Sequence, residues 1–320
     1  MTDGGAPLRI DRLVVRYAGA ENAAVDEVSL DVPAGSLVVL LGPSGCGKST
    51  LLRSINRLVT AQSGSVHIDG RDVRDVPPTE LRRGIGYVIQ AGGLFPHLTV
   101  ARNIAIVPEL LRWDGTRIAA RVDELLALVQ LDPANYRNRF PRELSGGEGQ
   151  RVGVARAIAA EPRLLLMDEP FGAVDAIVRL ALQDETVRIQ RALGTTILFV
   201  THDVDEALRI ADRIVVMAHG QVVQYDTPLR VLAQPATPYV EALLDTHDAV
   251  RRLALLRVSD AMRPHSGEPG GARIAPGQTL REALSEFLRG ADTLAVIDGD
   301  RPLGTLAFDD VRRALARAAG

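Results

Sequence analysis

The chain has 320 residues, of which 46 % are hydrophobic and 24 % are charged, values that are ordinary for a globular protein. Its length predicts about two domains. The net charge of −3 argues against nucleic-acid binding, and the single cysteine excludes an internal disulfide. Residues 1–12 lack the apolar core of a signal peptide, and no segment approaches the ~18 apolar residues of a membrane helix, so we expect a cytosolic protein.

Two segments with alternating apolar and polar residues, 8–17 and 25–32, predict a pair of antiparallel strands. Tyr17 falls at the end of the first strand. An aromatic ring in that place could stack on an adenine, although a tyrosine taken alone is more often a core residue. The motifs further along the chain decide between these two interpretations.

A phosphate-binding loop is predicted after the apolar strand at residues 37–41. Its residues lead into a helix and are Gly42, Pro43, Ser44, Gly45, Cys46, Gly47, Lys48, Ser49 and Thr50. This motif binds phosphates when it lies between a strand and a helix, as it does here. The alternative, a chance glycine turn, lacks that context. Lys48 would reach the β- and γ-phosphates of a nucleotide, and Ser49 would bind Mg²⁺. Lys48 is also the only lysine among 37 basic residues.

The middle of the chain changes from strands to helices. Residues 64–69 and 85–90 predict strands, the second of which ends at Gln90, and residues 100–160 have helical spacing. Within that region, residues 116–129 bury one face of a helix. We therefore expect a helical subdomain at about residues 91–160.

A second glycine-rich cluster begins with Ser145, Gly146 and Gly147 and precedes a helix predicted over residues 152–160. Serine is a favoured N-cap, and the two glycines leave the start of the helix open to an approaching phosphate. An ordinary capped helix is the alternative.

Two further apolar strands, 163–168 and 196–200, end in polar side chains. Asp168 would bind Mg²⁺ through its water shell, and Glu169 could take a proton from an attacking water. A solvated Asp-Glu turn is the alternative. His202 comes after the other strand and would point at the same crevice, although a lone histidine is more often structural.

Together these motifs resemble the ATP-binding-cassette (ABC) ATPases in order and spacing. The resemblance implies an α/β fold: a P-loop NTPase (RecA-like) core with an antiparallel β subdomain and a helical subdomain, here residues 1–240. It also implies a head-to-tail homodimer that encloses two ATP molecules, in which each phosphate loop faces Ser145, Gly146 and Gly147 of the other copy. Mg²⁺ would accompany the ATP.

The same resemblance assigns a role to each remaining motif. It implies an adenine-stacking ring at Tyr17, a hinge and Mg²⁺-sensing glutamine at Gln90, a general base at Glu169, a γ-phosphate switch at His202 and an ATP-site aspartate at Asp175. The chain departs from most members at Glu148, where glutamine is usual, at Gly149, and at Val174, where leucine is usual. Gly149 bears on the strength of dimer closure because glycine costs up to ~1 kcal/mol in a helix.

A narrower resemblance concerns the segment from Gln90 to Trp113, which looks like that of the quaternary-amine uptake subfamily. It implies an importer of glycine betaine, choline, carnitine or proline betaine, with integral-membrane permease subunits, and indirectly an extracytoplasmic solute-binding protein, as partners. The chain would then lie peripherally on the cytoplasmic face of the inner membrane and bind no nucleic acid. The alternatives are an importer of another small solute and a soluble cassette ATPase without a transport role.

The last part of the chain predicts a connecting helix at 241–256 and a small α/β segment at 257–320. This segment resembles a single cystathionine-β-synthase-type (CBS) motif. The places where that family binds an adenosine ribose hold Ala307 and Asp310, and the first of these departs from the usual threonine. A small dimerisation tail is the alternative.

Overall fold

The structure of the protein, a computed structural model, describes residues 4–89, 93–172, 174–246, 248–264 and 272–318. The chain forms two compact units, Met1–Val223 and Gln224–Gly320. The boundary between the units falls within strand β10. Up to and including β10, the strands and helices are, in chain order, β1 (Leu8–Val15), β2 (Val25–Val32), β3 (Leu37–Leu41), α1 (Lys48–Ile55), β4 (Ser63–Ile68), β5 (Arg71–Asp72), α2 (Pro78–Gly84), β6 (Ile85–Val88), α3 (Val100–Leu110), α4 (Gly115–Leu128), α5 (Pro133–Tyr136), α6 (Gly146–Ile158), β7 (Leu164–Asp168), α7 (Ala176–Leu193), β8 (Thr196–Thr201), α8 (Val204–Ile210), β9 (Arg213–Ala218) and β10 (Gln221–Asp226).

The first sheet has the strand order β2-β1-β4-β5. β1 pairs antiparallel with β2 on one side and with β4 on the other, which confirms the predicted antiparallel pair. Alternate residues of β2 are buried, as expected for a sheet that packs on one face only.

A six-stranded sheet with the order β10-β9-β3-β8-β7-β6 carries the site. β3 pairs parallel with β8 and β9, and β7 pairs parallel with β6 and β8. All five residues of β3 and of β7 are buried, because parallel strands are covered on both faces. The carboxyl ends of β3, β7 and β8 therefore lie side by side, where ligands bind in open α/β sheets.

The helices α3 to α6 form the predicted helical subdomain. α4 buries Val122, Leu125 and Leu126 on one face. α6 begins at Gly146, several residues before the predicted start at residue 152, because Ser145 caps it. Asn103 of α3 is fully buried, and its side chain bonds the backbone of Phe95, which fixes the loop before α3.

The second unit continues with α9 (Pro228–Ala233), α10 (Pro238–Leu244), α11 (Ala249–Leu255), α12 (Val258–Ala261), β11 (Arg263–Pro264), β12 (Ala272–Ile274), α13 (Leu280–Leu288), β13 (Thr293–Asp298), β14 (Arg301–Ala307) and α14 (Phe308–Ala318). The single connecting helix predicted at 241–256 is wrong: Asp245, with a left-handed backbone, ends α10 before α11 begins.

The small sheet of the second unit has the order β11-β14-β13-β12, and β12 and β13 run parallel. Its own core includes Val258, Leu280, Leu294, Val296 and Leu306, all fully buried. α13, β13, β14 and α14 give this region the mixed helix and strand content predicted for 257–320, whereas the short strands β11 and β12 carry no signal in the sequence pattern.

Among the described residues no helix is both long enough and apolar enough to cross a membrane.

Candidate nucleotide site

The turn between β3 and α1 has the shape of an anion-binding loop. Gly47 caps α1 with a φ of 108°, and a Cβ on this residue would lie 2.2 Å from the Ala24 carbonyl oxygen. Only glycine fits there, since both the backbone angle and the close approach exclude a side chain. The amino end of α1 and its partial positive charge consequently point at the loop.

Lys48 is buried against this loop. Its ammonium donates to the carbonyl oxygens of Gly42 at 2.6 Å and Pro43 at 2.8 Å, and it lies 3.7 Å from the Cys46 sulfur. The side chain is only 4 % exposed, so its charge is held at the loop rather than in solvent. This arrangement provides a fixed cation where phosphates would lie.

Ser49 and Asp168 meet at the carboxyl edge of the sheet. The Ser49 hydroxyl donates to the Asp168 carboxylate at 2.8 Å, although 119 residues separate them. Burial raises the pKa of Asp168, and the hydrogen bond from Ser49 opposes that rise. Hydroxyl and carboxylate oxygens are ligands that Mg²⁺ prefers. The described residues include no cluster of three His, Cys, Asp or Glu side chains that could hold a metal ion alone. A Mg²⁺ here would therefore also need oxygens from a bound nucleotide or from water.

Glu169 and His202 lie at the ends of the neighbouring strands β7 and β8. The His202 Nδ1 is 3.2 Å from the Glu169 Oε1. Glu169 has a left-handed backbone with φ of 45°, and its N–H donates to the Val200 carbonyl oxygen at 3.0 Å, which fixes the turn. The structure thus brings Lys48, Ser49, Asp168, Glu169 and His202 to one edge, as the sequence predicted from their positions at strand ends.

Tyr17 lies in the turn after β1, with its ring 43 % exposed. The hydroxyl groups of Tyr17 and Thr50 are 3.3 Å apart, which places the ring next to the start of α1. The core interpretation of this tyrosine is therefore wrong. An exposed aromatic face beside a phosphate loop can stack on a base.

The start of α6 is a capping box. The Ser145 hydroxyl accepts from the Glu148 N–H at 3.3 Å, and the Glu148 carboxylate accepts from the Ser145 N–H at 2.6 Å. The Tyr136 hydroxyl donates to the other carboxylate oxygen of Glu148 at 2.5 Å. The hydrogen bond from Tyr136, followed by that from the Ser145 backbone, lowers the pKa of Glu148. Both carboxylate oxygens of the unusual Glu148 thus accept hydrogen bonds at the start of the helix.

Four predicted site residues within the described part of the chain make no hydrogen bond to the phosphate loop. Three of them are Ser145, Gly146 and Gly147, at the start of α6. Asp175 is the N-cap of α7 and accepts from the Val178 N–H at 3.0 Å. Gln90 lies outside the described residues.

Sequence reasoning missed three side chains near the cluster. Arg53, one turn along α1 from Ser49, opposes through its charge the rise that burial causes in the pKa of Asp168. Arg179 and Glu206 line a cavity of about 70 Å³ together with Glu169 and His202. Glu206 is 7 % exposed, and burial raises its pKa. The only sequence signal was its place one helical turn after His202.

Comparison with known proteins gives a consistent result. The profile of the ABC transporter family matches residues 25–172. The glycine betaine uptake system ATP-binding protein YehX of Escherichia coli is 50 % identical over 301 residues, which are 93 % of this chain and 97 % of that protein. The glycine betaine/carnitine/choline transport ATP-binding protein OpuCA of Bacillus subtilis is 44 % identical, over 91 % of this chain and 75 % of that protein.

Solved structures agree. A dimeric ATP-binding cassette in a post-hydrolysis state, bound to ADP and Pi, superposes with a TM-score of 0.64 at 32 % identity. The match covers 69 % of this chain and 98 % of the cassette.

Proposed function

This chain belongs to the ATP-binding proteins of the ABC transporters, and from that premise we propose that it drives the uptake of a quaternary amine osmoprotectant. It is an ABC-type ATPase, and its cassette has the α/β P-loop fold. The observation that carries the proposal is the convergence of Lys48, Ser49, Asp168, Glu169 and His202 at one sheet edge, in a chain so similar to betaine-uptake proteins.

The chemistry derives from this geometry. The nine residues of the phosphate loop, 42–50, would bind the phosphates of ATP, with Lys48 neutralising their charge. Ser49, Asp168 and Gln90 would hold Mg²⁺, which supplies charge neutralisation at the β- and γ-phosphates. Glu169 would take a proton from the attacking water. His202, whose Nδ1 lies 3.2 Å from the Glu169 carboxylate, would contact the γ-phosphate.

Turnover would need two copies of the chain. We place Ser145, Gly146 and Gly147 of one copy over the phosphate loop of the other, with Asp175 beside the contact. Within the described part of one chain no hydrogen bond joins the α6 start to the phosphate loop, which supports this, as does the dimeric state of the similar cassette. An amino helix end at which Ser145 and Gly146 are exposed suits a phosphate brought by the other copy.

Permease subunits in the membrane would be the direct partners, and an extracytoplasmic solute-binding protein an indirect one. The chain would lie peripherally on the cytoplasmic face of the inner membrane. Relatives that are ATP-binding proteins of uptake systems support this assignment. We also propose the domain limits 1–240 for the cassette, 241–256 for a connecting segment and 257–320 for a single CBS-like motif.

Another small solute is the second candidate. It is favoured by similarity to a trimethylamine N-oxide transport system ATP-binding protein of Pelagibacter ubique, which is 40 % identical over 280 residues. A non-transport role for the cassette has no comparable support, since the relatives named above belong to uptake or transport systems.

Uptake in cells tests the proposal. Deleting the gene in a strain without redundant importers should reduce uptake of labelled glycine betaine, choline or carnitine at high osmolarity. The native gene should restore uptake, whereas Glu169→Gln should not. Loss of trimethylamine N-oxide uptake alone would establish the second candidate, and unchanged uptake of every solute would refute both.

A further inference from the structure

The helices α7 and α8 each begin beside a residue of the site. Asp175 is the N-cap of α7. Asp203, the residue after His202, is the N-cap of α8 and accepts from the Glu206 N–H at 3.1 Å. A change in the position of either helix start therefore moves a site residue with it.

Three polar links join α7 to the α8 segment. They are Arg179 with Asp203 at 3.8 Å, Gln183 with Glu206 at 2.9 Å, and Asp184 with Arg209 at 2.8 Å. Gln183 and Glu206 are 2 % and 7 % exposed, so the middle link is buried. These links hold α7 and α8 together along much of the length of α8, and so hold the starts of the two helices in a fixed relation.

Arg179 does more than link the helices. Its Nη2 donates to the Val174 carbonyl oxygen at 3.0 Å, while its Nη1 faces Asp203. Val174 directly precedes Asp175 and is 4 % exposed. One guanidinium thus bridges the residue before Asp175 and the residue after His202, a geometry that the planar fork of arginine allows and the single ammonium of lysine does not.

The bridge also borders the reacting groups. Arg179 lines the cavity of about 70 Å³ that Glu169 and His202 share, and its Nε is buried without a hydrogen-bond partner in the described part of the chain. By contrast, Arg209 forms its ion pair at the surface, where its side chain is 44 % exposed.

We propose that Arg179 is a positioning residue that couples the Asp175 loop to His202. The proposal rests on the ATPase function and on the dimer proposed above, in which the Asp175 loop lies beside the other copy. A shift of that loop would pass through Val174 and Arg179 to Asp203 and so set the place of His202. Loss of the bridge should slow turnover, because His202 is then less well placed. It should leave ATP binding in place, because among the described residues no hydrogen bond or ion pair joins the bridge to the phosphate loop.

Steady-state ATPase kinetics of the purified full-length chain provide the test. Arg179→Gln should lower kcat about tenfold, the effect of losing roughly one charge-assisted hydrogen bond in the transition state, with KM for ATP within about twofold. Arg179→Lys should lie between native and Arg179→Gln. Asp203→Asn keeps the helix cap but removes the charge, and it should lower kcat by less than Arg179→Gln.

The double variant Arg179→Gln/Asp203→Asn should be no slower than Arg179→Gln alone, because both changes break one bridge. Arg209→Gln is the matched control: it removes a link between the same helices away from the site and should keep native kcat. Melting temperatures with and without Mg-ATP confirm folding and ATP binding of each variant.

Native kcat in Arg179→Gln, an equal loss in Arg209→Gln, or additive losses in the double variant would overturn the proposal. A native chain that neither binds nor hydrolyses ATP would instead overturn the proposed function, so the two failures are distinguishable.

Discussion

Gly149 provides a sharp test of how α6 is built, because glycine inside a helix is expected to cost stability. A Cβ at this position would meet only the Leu94 Cδ1, at 4.0 Å, which is ordinary contact. Nothing within the described chain requires glycine there. The Gly149→Ala substitution should therefore stabilise the free protein by about 0.5–1 kcal/mol through helix propensity alone.

Urea unfolding monitored by tryptophan fluorescence measures this gain. Trp113 is the only tryptophan of the chain and lies between α3 and α4, with the Arg117 guanidinium 3.4 Å from its ring. It reports on the helical subdomain, to which α6 belongs. A gain of this size should raise the urea midpoint by about 0.3 M without changing the slope.

Gly153→Ala serves as the matched control, since Gly153 lies one turn further along α6 and a Cβ there would meet nothing within 4 Å. Both variants should gain stability. A loss in Gly149→Ala with a gain in Gly153→Ala would refute the reasoning from helix propensity. If Gly149→Ala is more stable yet fails to dimerise with ATP, the glycine serves the contact between copies and not the fold.

Two further predictions concern the reaction itself. Glu169→Gln should keep ATP binding, reduce kcat by about 10²–10⁴ and hold the ATP-bound dimer closed, as measured by turnover and light scattering; native turnover would exclude the base role. Cys46 is the only cysteine, is 5 % exposed and lies 3.7 Å from the Lys48 ammonium, so Mg-ATP should slow its alkylation, and the alkylated protein should lose activity. Equal labelling rates with and without Mg-ATP would contradict the placement of the loop.

Local sequence was sufficient for the elements that carry the reacting groups. β3 and β7 are short apolar runs bounded by polar residues, and parallel pairing of such strands brings the polar residues at their carboxyl ends to one edge of the sheet. The sequence alone could therefore place Asp168 and Ser49 at the same Mg²⁺ site. The N-cap at Ser145 was equally local, whereas the other half of its capping box, in which the Ser145 N–H donates to the Glu148 carboxylate, was not predicted.

Features that depend on contacts through space could not be predicted in the same way. β11 has two residues and β12 three, and each is a strand only because β14 or β13 supplies its hydrogen bonds. The bridge made by Arg179 had no local signal, since its partner Asp203 comes within 3.8 Å only when α7 packs beside α8. The exposure of Tyr17 likewise results from the turn after β1 and not from its own residue type.

Asp310 of the second unit bears on the nucleotide site that the CBS resemblance would imply. Asp310 stands where the CBS family would bind a ribose, but it is 5 % exposed and already engaged. Its carboxylate accepts from the Arg263 Nε at 2.7 Å, from the Ala307 N–H at 3.0 Å and from Arg313. Burial by itself would raise the pKa of Asp310, and these hydrogen bonds lower it instead, which keeps the group ionised. A ribose hydroxyl would have to replace a bond from a charged guanidinium, in which donor and acceptor are both ionised, with one in which only the acceptor is ionised. The carboxylate therefore holds β11 and the start of α14 together, and this favours a packing or dimerisation role for the tail over a nucleotide site.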